Sequence, residues 1–231
     1  MSIKQMRYVN GSEISAFVSE HMRPDPVANA AIFNTLRILK QLNAGDSYYE
    51  NYMFHWDKQG HKFFDYYHLL WAMGSCLKID RALEIGCRTG ISACQLLSSM
   101  KKPGDVKLTL CDLFGDGFLS PEIVKMNMRH LNIPLDNVEF KIGSSLEIVP
   151  KLEGTFDYIL VDGDHSREVA TQDLENIVRL CHPGTIVIFD DIAPDGCGLI
   201  DVFKGFMERH QGEFDFFTNM NGKGTGVGVK L

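Results

Sequence analysis

The sequence lacks a hydrophobic run long enough to span a membrane. No segment approaches the roughly 18 to 20 apolar residues that a bilayer span needs, and residues 1–7 lack the apolar core of a secretory signal. Strong basic runs are also absent, and the formal net charge is −7. Nucleic acids and anionic membranes both favour clustered Lys and Arg, so neither is expected as the main partner. We expect a cytoplasmic protein.

Paired cysteines are missing as well. The six cysteines show no C-x-x-C spacing, and most of them lie within predicted helices or strands. We therefore interpret them as reduced, small hydrophobic residues rather than as disulfides. Because the sequence has no Cys or His pair at ligand spacing, it also argues against a zinc site.

The length and composition fit one globular domain over residues 1–231. At 45% hydrophobic and 23% charged residues, the chain can bury a full core. From residue 81, apolar runs alternate with helical patterns, which is typical of an α/β protein with a doubly wound, mostly parallel sheet. The predicted strands are 81–85, 106–112, 138–142, 156–162 and 184–190, and the predicted helices are 90–100, 120–131, 145–152, 166–181 and 198–210. An antiparallel hairpin of 214–218 and 226–231 closes the sheet.

Added N-terminal helices precede this core. Residues 1–47 carry helical patterns at 12–22 and 26–43, the second beginning with Pro26 and ending before Gly45. Such a helix either covers an edge of the sheet or forms part of a dimer interface. The sequence is therefore compatible with a homodimer.

Residues 48–80 are rich in aromatic side chains. A helix from about His61 to Cys76 would place several of them on one face, a pattern that is more often core than ligand-binding surface. The preceding stretch, residues 52–56, has no helical period. We predict that it forms a lid over a site.

Two buried strands end in acidic residues. Residues 158–162 and 185–190 are unbroken apolar runs that end in Asp, as expected for strands covered on both faces. If these strands are parallel neighbours, Asp162, Asp190 and Asp191 meet at one edge of the sheet. Carboxylates placed together need a cation, a shared proton or ample water. This cluster is the first candidate for a functional site.

A second candidate is the glycine turn after the first predicted strand. Glycines at 86 and 90 would allow positive φ and close approach of a ligand. The dinucleotide fingerprint G-x-G-x-x-G would also need glycine at positions 88 and 91, which hold Arg88 and Ile91. The diphosphate cradle of a nicotinamide-dependent oxidoreductase is therefore not present.

The motif E-x-G-x-x-x-G, from Glu84 to Gly90, resembles the first motif of the class I S-adenosylmethionine-dependent methyltransferases, which have a Rossmann-like fold. The resemblance implies that the glycine loop wraps the amino-acid part of S-adenosylmethionine. Glu84 would help to hold its ammonium group. The residues implied to line the cofactor are Gly86, the Arg88 backbone, Gly90 and Ser92.

The next two strands extend the resemblance. Asp112 ends the second predicted strand, where this fold places a carboxylate that accepts both ribose hydroxyls; the alternative is a solvated Asp at a strand end. After the third strand, Ser144 and Ser145 match positions that contact the adenine. Many relatives carry Asp at the position of Ser144, and Ser145 has the alternative role of capping the following helix.

The acidic cluster resembles that of metal-dependent small-molecule O-methyltransferases. Asp-Gly-Asp-His at 162–165 is similar to the macrocin-type enzymes and, less closely, to catechol and caffeoyl-CoA O-methyltransferases. The resemblance implies that Asp162, Asp190 and Asp191 bind a divalent cation. Carboxylate oxygens favour Mg²⁺, Ca²⁺ or Mn²⁺, with Mg²⁺ preferred here. The alternative is that Asp162 and Asp190 cap helices and remain solvated, as in metal-free relatives.

His165 follows Asp162 by three residues. We predict that it is the general base for an acceptor hydroxyl, with Asp164 as a substitute base or as the group that orients it. Alternatively, His165 contacts the cofactor through its backbone or caps the helix that begins near Ser166.

The sequence thus predicts an S-adenosylmethionine-dependent methyltransferase that acts on a hydroxyl of a small molecule, such as a sugar, a phenol or a natural product, with help from a divalent metal. The first alternative is a metal-independent N- or O-methyltransferase of the same fold. Another class, the nicotinamide-dependent oxidoreductases, shares the β-α-β layout and Asp112. A non-enzymatic binding module would require the acidic cluster to be incidental.

Overall fold

The computed structural model describes residues 37, 65–115 and 119–231. The strands within these ranges are β1 Arg81–Ile85, β2 Lys107–Asp112, β3 Val138–Ile142, β4 Phe156–Val161, β5 Cys181–Asp190, β6 Phe214–Asn219 and β7 Thr225–Lys230. The helices are α1 Asp65–Cys76, α2 Ile91–Ser98, α3 Pro121–His130, α4 Ser145–Ile148, α5 Arg167–Ile177 and α6 Ile200–Arg209. Apart from residue 37, which is helical, the predicted helices at 12–22 and 26–43 lie outside the described residues. The predicted lid at 52–56 and residues 61–64 of the predicted aromatic helix also lie outside them.

The strands form one seven-stranded sheet in the order β3-β2-β1-β4-β5-β7-β6. β1 to β5 are parallel, whereas β7 runs antiparallel to β5 and β6. The predicted doubly wound sheet with a C-terminal hairpin is confirmed. Because β2 and β4 lie on opposite sides of β1, the chain order reverses there, and such a reversal opens a crevice at the carboxyl ends of the strands.

Helices cover the sheet on both faces, and β4 shows how. Tyr158 and Leu160 pack into the cluster that contains α1, α2 and α3, while Ile159 and Val161 pack into the cluster that contains α5 and α6. Because consecutive residues of a strand face opposite sides, a strand buried on both faces needs an unbroken apolar run. The two cores hold the carboxyl ends of the strands in a fixed register.

Most predicted boundaries agree with the structure, and the main differences have local causes. β5 begins at Cys181 rather than 184, because Cys181 already pairs with Phe156; the register with β4 then shifts before Ile186 pairs with Tyr158. Within this shift the Thr185 hydroxyl donates to the Phe156 carbonyl over 2.6 Å. The predicted helix at 145–152 divides into α4 and a 3-10 turn, Val149–Lys151. Pro150 has no backbone N–H with which to continue an α-helix.

None of the helices in the described ranges combines the length and the apolar character that crossing a bilayer requires.

Candidate active site

A cavity of about 550 Å³ opens at the carboxyl ends of β1, β2 and β4. Its volume lies within the range of small-molecule sites, roughly 300 to 1,000 Å³. The glycine turn after β1 forms one side, and the acidic cluster after β4 and β5 forms the other. Residues from both sides that line it include Gly86, Asp112, Ser144, Asp162, His165 and Lys223.

The glycine turn packs tightly against the loop after β4. Gly86 and Gly90 adopt φ of 83° and 78°, a region that side chains with a Cβ disfavour. A Cβ at Gly86 would also clash with the carbonyl oxygen of Asp162. The predicted role of glycine at this turn therefore includes close packing of the two loops that border the cavity.

Asp112 holds the turns at the end of β2. Its Oδ2 accepts a hydrogen bond from the Arg88 backbone N–H over 2.7 Å, and its Oδ1 accepts one from the Phe114 N–H over 2.7 Å. Each carboxylate oxygen can accept a further hydrogen bond. Asp112 is thus fixed by the backbone and lines the cavity, where its carboxylate can receive the two hydroxyls of a diol.

Glu84 lies behind the lining of the cavity. It is 2% exposed and accepts a hydrogen bond from the Ser92 hydroxyl, and Ser92 does line the cavity. Burial raises the pKa of Glu84 to about 8, although the Ser92 hydrogen bond acts in the opposite direction. The carboxyl group is therefore mostly protonated at neutral pH, and a cation bound nearby would favour its ionisation.

Ser144 and Ser145 both line the cavity beyond β3. Ser144 occupies the N-cap position of α4, and its side chain makes no capping hydrogen bond. Ser145 is the first residue of the helix, so the alternative that it is the N-cap is wrong by one position. Their predicted contact with the adenine stays a prediction.

The register of β4 and β5 brings the predicted acidic cluster together. Val161 pairs with Phe189, so the residues that follow each strand lie side by side. One carboxylate oxygen from each of Asp162, Asp190 and Asp191 lies within 4.8 Å of the others. Asp190 and Asp191 are 1% and 3% exposed, so the alternative that Asp190 is a solvated cap is wrong.

Lys223, in the loop between β6 and β7, reaches this cluster and was not predicted. Its Nζ lies 2.6 Å from Asp190 Oδ2 and 3.2 Å from Asp191 Oδ1. It also lies 5.6 Å from the ring centroid of Tyr66 on α1, within the range of a cation–π contact. The ammonium group is therefore enclosed by two carboxylates and an aromatic ring.

His165 lies on the exposed side of the cluster. Its Nε2 is 3.1 Å from Asp191 Oδ2 and 3.5 Å from Asp162 Oδ1. Hydrogen bonds to Asp162 and Asp191 raise the pKa of His165 to about 10, although burial alone would lower it. The imidazole therefore carries two protons at neutral pH.

Asp164 does not orient His165, contrary to one of its predicted roles. Its Oδ1 accepts a hydrogen bond from the Ser166 backbone N–H over 2.7 Å, just before α5. Asp162 and Asp191 hold the imidazole instead. The backbone N–H of Ser166 thus donates to Asp164 and not to His165. The described side-chain contacts of His165 are with Asp162 and Asp191, so its side chain does not cap α5.

The charges of the cluster nearly balance. Burial raises the pKa of Asp190 to about 8, more than Lys223 lowers it. For Lys223, burial alone would lower the pKa, but the three neighbouring carboxylates outweigh it and hold the pKa well above its usual value. When Asp190 is protonated, Asp162 and Asp191 face two cations, Lys223 and His165. The cluster then has no excess negative charge.

Cys197 also approaches the cluster, close to His165 and Asp191. Burial, followed by the negative charge of Asp191, raises the pKa of its thiol to about 11. The thiol is therefore protonated at neutral pH when no metal is bound.

Comparisons with known proteins agree with this geometry. Residues 83–192 match a family model described as a methyltransferase domain, and a search of curated proteins finds no match at a significant level. A methyltransferase from Podospora anserina with bound S-adenosylhomocysteine superposes with a TM-score of 0.65 at 17% identity, covering 100% of this chain and 99% of the other.

Two O-methyltransferases are also similar. One, from Streptomyces achromogenes, takes part in tomaymycin synthesis and holds S-adenosylmethionine; its TM-score is 0.61 at 18% identity, and 96% of each chain is covered. Another, from Bacillus cereus, holds S-adenosylhomocysteine; its TM-score is 0.58 at 18% identity, with 94% and 97% covered. At such identities the structural likeness establishes the fold.

Proposed function

We propose that the chain transfers a methyl group to a hydroxyl of a small molecule. The proposal starts from the match of residues 83–192 to a methyltransferase domain, of the S-adenosylmethionine-dependent class. One observation carries this proposal: a single cavity joins the glycine turn and Asp112 to the cluster of Asp162, His165, Asp191 and Lys223. The first side suits the donor, and the second holds groups that can bind and deprotonate an acceptor.

The residues at the donor side fit S-adenosylmethionine. Asp112 offers a carboxylate to a diol, Gly86 and Arg88 line the cavity, and the buried carboxyl group of Glu84 lies behind Ser92. When bound, S-adenosylmethionine supplies an electrophilic methyl group on a sulfonium. The chain's task is to hold a hydroxyl oxygen in line with that methyl group and to remove the hydroxyl proton.

His165 is the proposed base. It lies on the cavity wall between two carboxylates, which hold the ring in place and stabilise its protonated form. The raised pKa keeps the ring protonated at neutral pH. The fraction of deprotonated imidazole, which is the form that can accept a proton, therefore increases as the pH rises. Asp164, which also lines the cavity, is the second candidate.

A small hydroxyl compound is the class of acceptor that this cavity favours. The cavity has the size of a small-molecule site, and the net charge of −7 does not favour a nucleic-acid substrate. Both polar and apolar residues line the cavity, which suits a sugar, a phenol or another natural product that carries a hydroxyl.

The divalent cation predicted from the sequence would use Asp162, Asp190 and Asp191. They offer carboxylate oxygens, the type of ligand that Mg²⁺ prefers, and these oxygens lie within 4.8 Å of one another. The Lys223 ammonium, however, lies at hydrogen-bonding distance from two of the three carboxylates. A metal bound by those two groups would lie close to this ammonium, and the two cations would repel each other. The cluster does not fit a divalent cation while Lys223 stays in place, and the proposed chemistry includes no metal step.

A transfer assay tests the proposal. The purified protein would be incubated with S-adenosylmethionine carrying a labelled methyl group and with a panel of sugars, phenols and amines. We expect label on a hydroxyl compound and loss of transfer in Asp112→Ala. Label only on amines would favour the N-methyltransferase alternative. Oxidation or reduction of a panel member with NAD, without methyl transfer, would contradict the proposal.

A further inference from the structure

We propose that Lys223 is the resident cation of the acidic cluster and that it takes the place of a divalent metal at the acceptor side of the cavity. This inference rests on the proposed function, because the cluster is part of the same cavity. Lys223 is a positioning residue in this account: it holds Asp190 and Asp191, and Asp191 in turn holds His165.

The geometry of the side chain supports this role. The Nζ of Lys223 contacts Asp190 Oδ2 at 2.6 Å and Asp191 Oδ1 at 3.2 Å. The side chain of Asp190 is 0% exposed and that of Asp191 4% exposed. A buried carboxylate needs a partner charge, and removal of a buried partner is strongly destabilising. The ammonium supplies that charge from within the chain.

The backbone fixes Lys223 in this place. The Ala193 N–H donates to the Lys223 carbonyl over 2.8 Å, and the Ile192 N–H donates to the Gly224 carbonyl over 3.3 Å. Gly224 adopts a φ of 78°, and a Cβ there would clash with the backbone nitrogen of Ala193. The hairpin loop is therefore joined to the loop after β5, and the ammonium cannot move away without breaking these contacts or changing the side-chain rotamer.

The position of the ammonium also competes directly with a metal. A cation bound by the three carboxylates would lie close to the Lys223 ammonium, which contacts Asp190 Oδ2 and Asp191 Oδ1. Two cations at these distances from shared oxygens repel each other. Lys223 and a divalent metal are therefore mutually exclusive at this cluster.

Titration of the protein with Mn²⁺ tests this inference without an acceptor substrate. The electron paramagnetic resonance signal of the free ion measures how much Mn²⁺ remains unbound. We expect no stoichiometric binding to the wild-type protein, either alone or with S-adenosylhomocysteine. Lys223→Met keeps the length of the apolar stem but removes the charge. We expect this variant to bind one Mn²⁺ at least ~10-fold more tightly than wild type, because its buried carboxylates lose their partner.

The controls separate this effect from general changes of charge. Lys230→Met removes a lysine that contacts Glu213 at 2.7 Å on the same hairpin and should leave Mn²⁺ binding as in wild type. Asp190→Asn added to Lys223→Met should abolish the new site. Thermal unfolding checks that each variant is folded.

Two results would overturn the inference. One is wild-type protein that binds Mn²⁺ with a Kd below ~10⁻⁴ M, within the range of protein sites for hard cations, and that loses it in Asp190→Asn. The other is a folded Lys223→Met variant that binds no tighter than wild type. The first result, Mn²⁺ binding by the wild-type protein, would overturn the inference even if the Lys223→Met variant does not fold. Absence of S-adenosylhomocysteine binding would instead contradict the proposed function, while the Mn²⁺ result would still decide the role of Lys223.

Discussion

The backbone N–H of Arg88 donates to Oδ2 of Asp112 over 2.7 Å, which joins the glycine turn after β1 to the end of β2. The second oxygen of the same carboxylate holds the Phe114 N–H. One side chain thus shapes two loops and faces the cavity between them. Asp112 therefore supports both loops, and its predicted role as a ligand of the cofactor would be an additional one.

Asp112→Ala should weaken the binding of S-adenosylhomocysteine by at least ~10-fold, because even one hydrogen bond to a charged group contributes ~1.5 to 3 kcal/mol. Isothermal titration calorimetry measures the change. Asp136→Ala is the matched control, since Asp136 is exposed and lies just before β3. It is therefore at the amino ends of the strands, whereas the cavity is at their carboxyl ends. Equal affinities in the two variants would contradict the role of Asp112.

Gly86→Ala and Gly212→Ala separate backbone strain from packing. The two glycines have similar φ, 83° and 86°, but a Cβ at Gly86 would meet the Asp162 backbone, whereas one at Gly212 would have no atom within 4 Å. Gly212→Ala should cost ~1 to 2 kcal/mol from the left-handed conformation alone. Gly86→Ala should cost a further ~1 to 3 kcal/mol from overpacking. Urea unfolding gives both values, and equal losses would show that the two loops do not need this close approach.

The pH dependence of ligand binding should report on Glu84. Burial raises the pKa of this carboxyl group to about 8, so below that pH the free protein must release a proton before a carboxylate can face the ammonium group of the ligand. The affinity for S-adenosylhomocysteine should therefore increase with pH by up to ~10-fold per unit and level off above about 8. Glu84→Gln should remove the increase. A parallel slope in wild type and Glu84→Gln would assign the proton to another group.

The ring of His165 should titrate with a pKa of about 10, because its hydrogen bonds to Asp162 and Asp191 stabilise the protonated form. Nuclear magnetic resonance of the imidazole protons measures this without substrate. Asp191→Asn should lower the pKa, whereas Asp157→Asn, which changes a carboxylate that contacts His182, should not. A wild-type pKa near the ordinary value would mean that the carboxylates do not hold the ring.

His165→Ala should reduce methyl transfer by ~10²- to 10⁴-fold if the imidazole is the base. In wild type the rate should rise with pH toward about 10, as the deprotonated form of His165 grows. Activity within a few-fold of wild type in His165→Ala, with an unchanged pH profile, would transfer the base role to Asp164. The assay is the labelled methyl transfer with the acceptor found in the panel.

Much of the fold follows from local pattern. β1 and β3 have the predicted bounds: β1 is mostly buried, whereas β3 alternates apolar and charged residues, as a partly exposed edge strand does. The meeting of Asp162 with Asp190 follows from the parallel pairing of β4 and β5. By contrast, the roles of Asp164 and Ser145 depend on which backbone N–H each side chain meets. Such contacts depend on differences of a single residue in loop geometry, which a sequence pattern does not specify.

Lys223 shows what the sequence did not reveal. It stands alone in a glycine-rich loop, 33 positions from Asp190, and no periodicity marks it. The signal lies in the topology: when the C-terminal hairpin pairs antiparallel with β5, Thr225 lies opposite Asp190, and the loop just before it must lie over the cluster. The position of Lys223 can therefore be deduced only when it is known that β7, and not β6, pairs with β5.

We propose that the cavity binds the methyl donor through the glycine turn and Asp112. Isothermal titration of the wild-type protein with S-adenosylhomocysteine, alongside NAD, tests it most directly. We expect one binding site for S-adenosylhomocysteine, weakened in Asp112→Ala, and no binding of NAD. Binding of NAD in the absence of any heat from S-adenosylhomocysteine would contradict it.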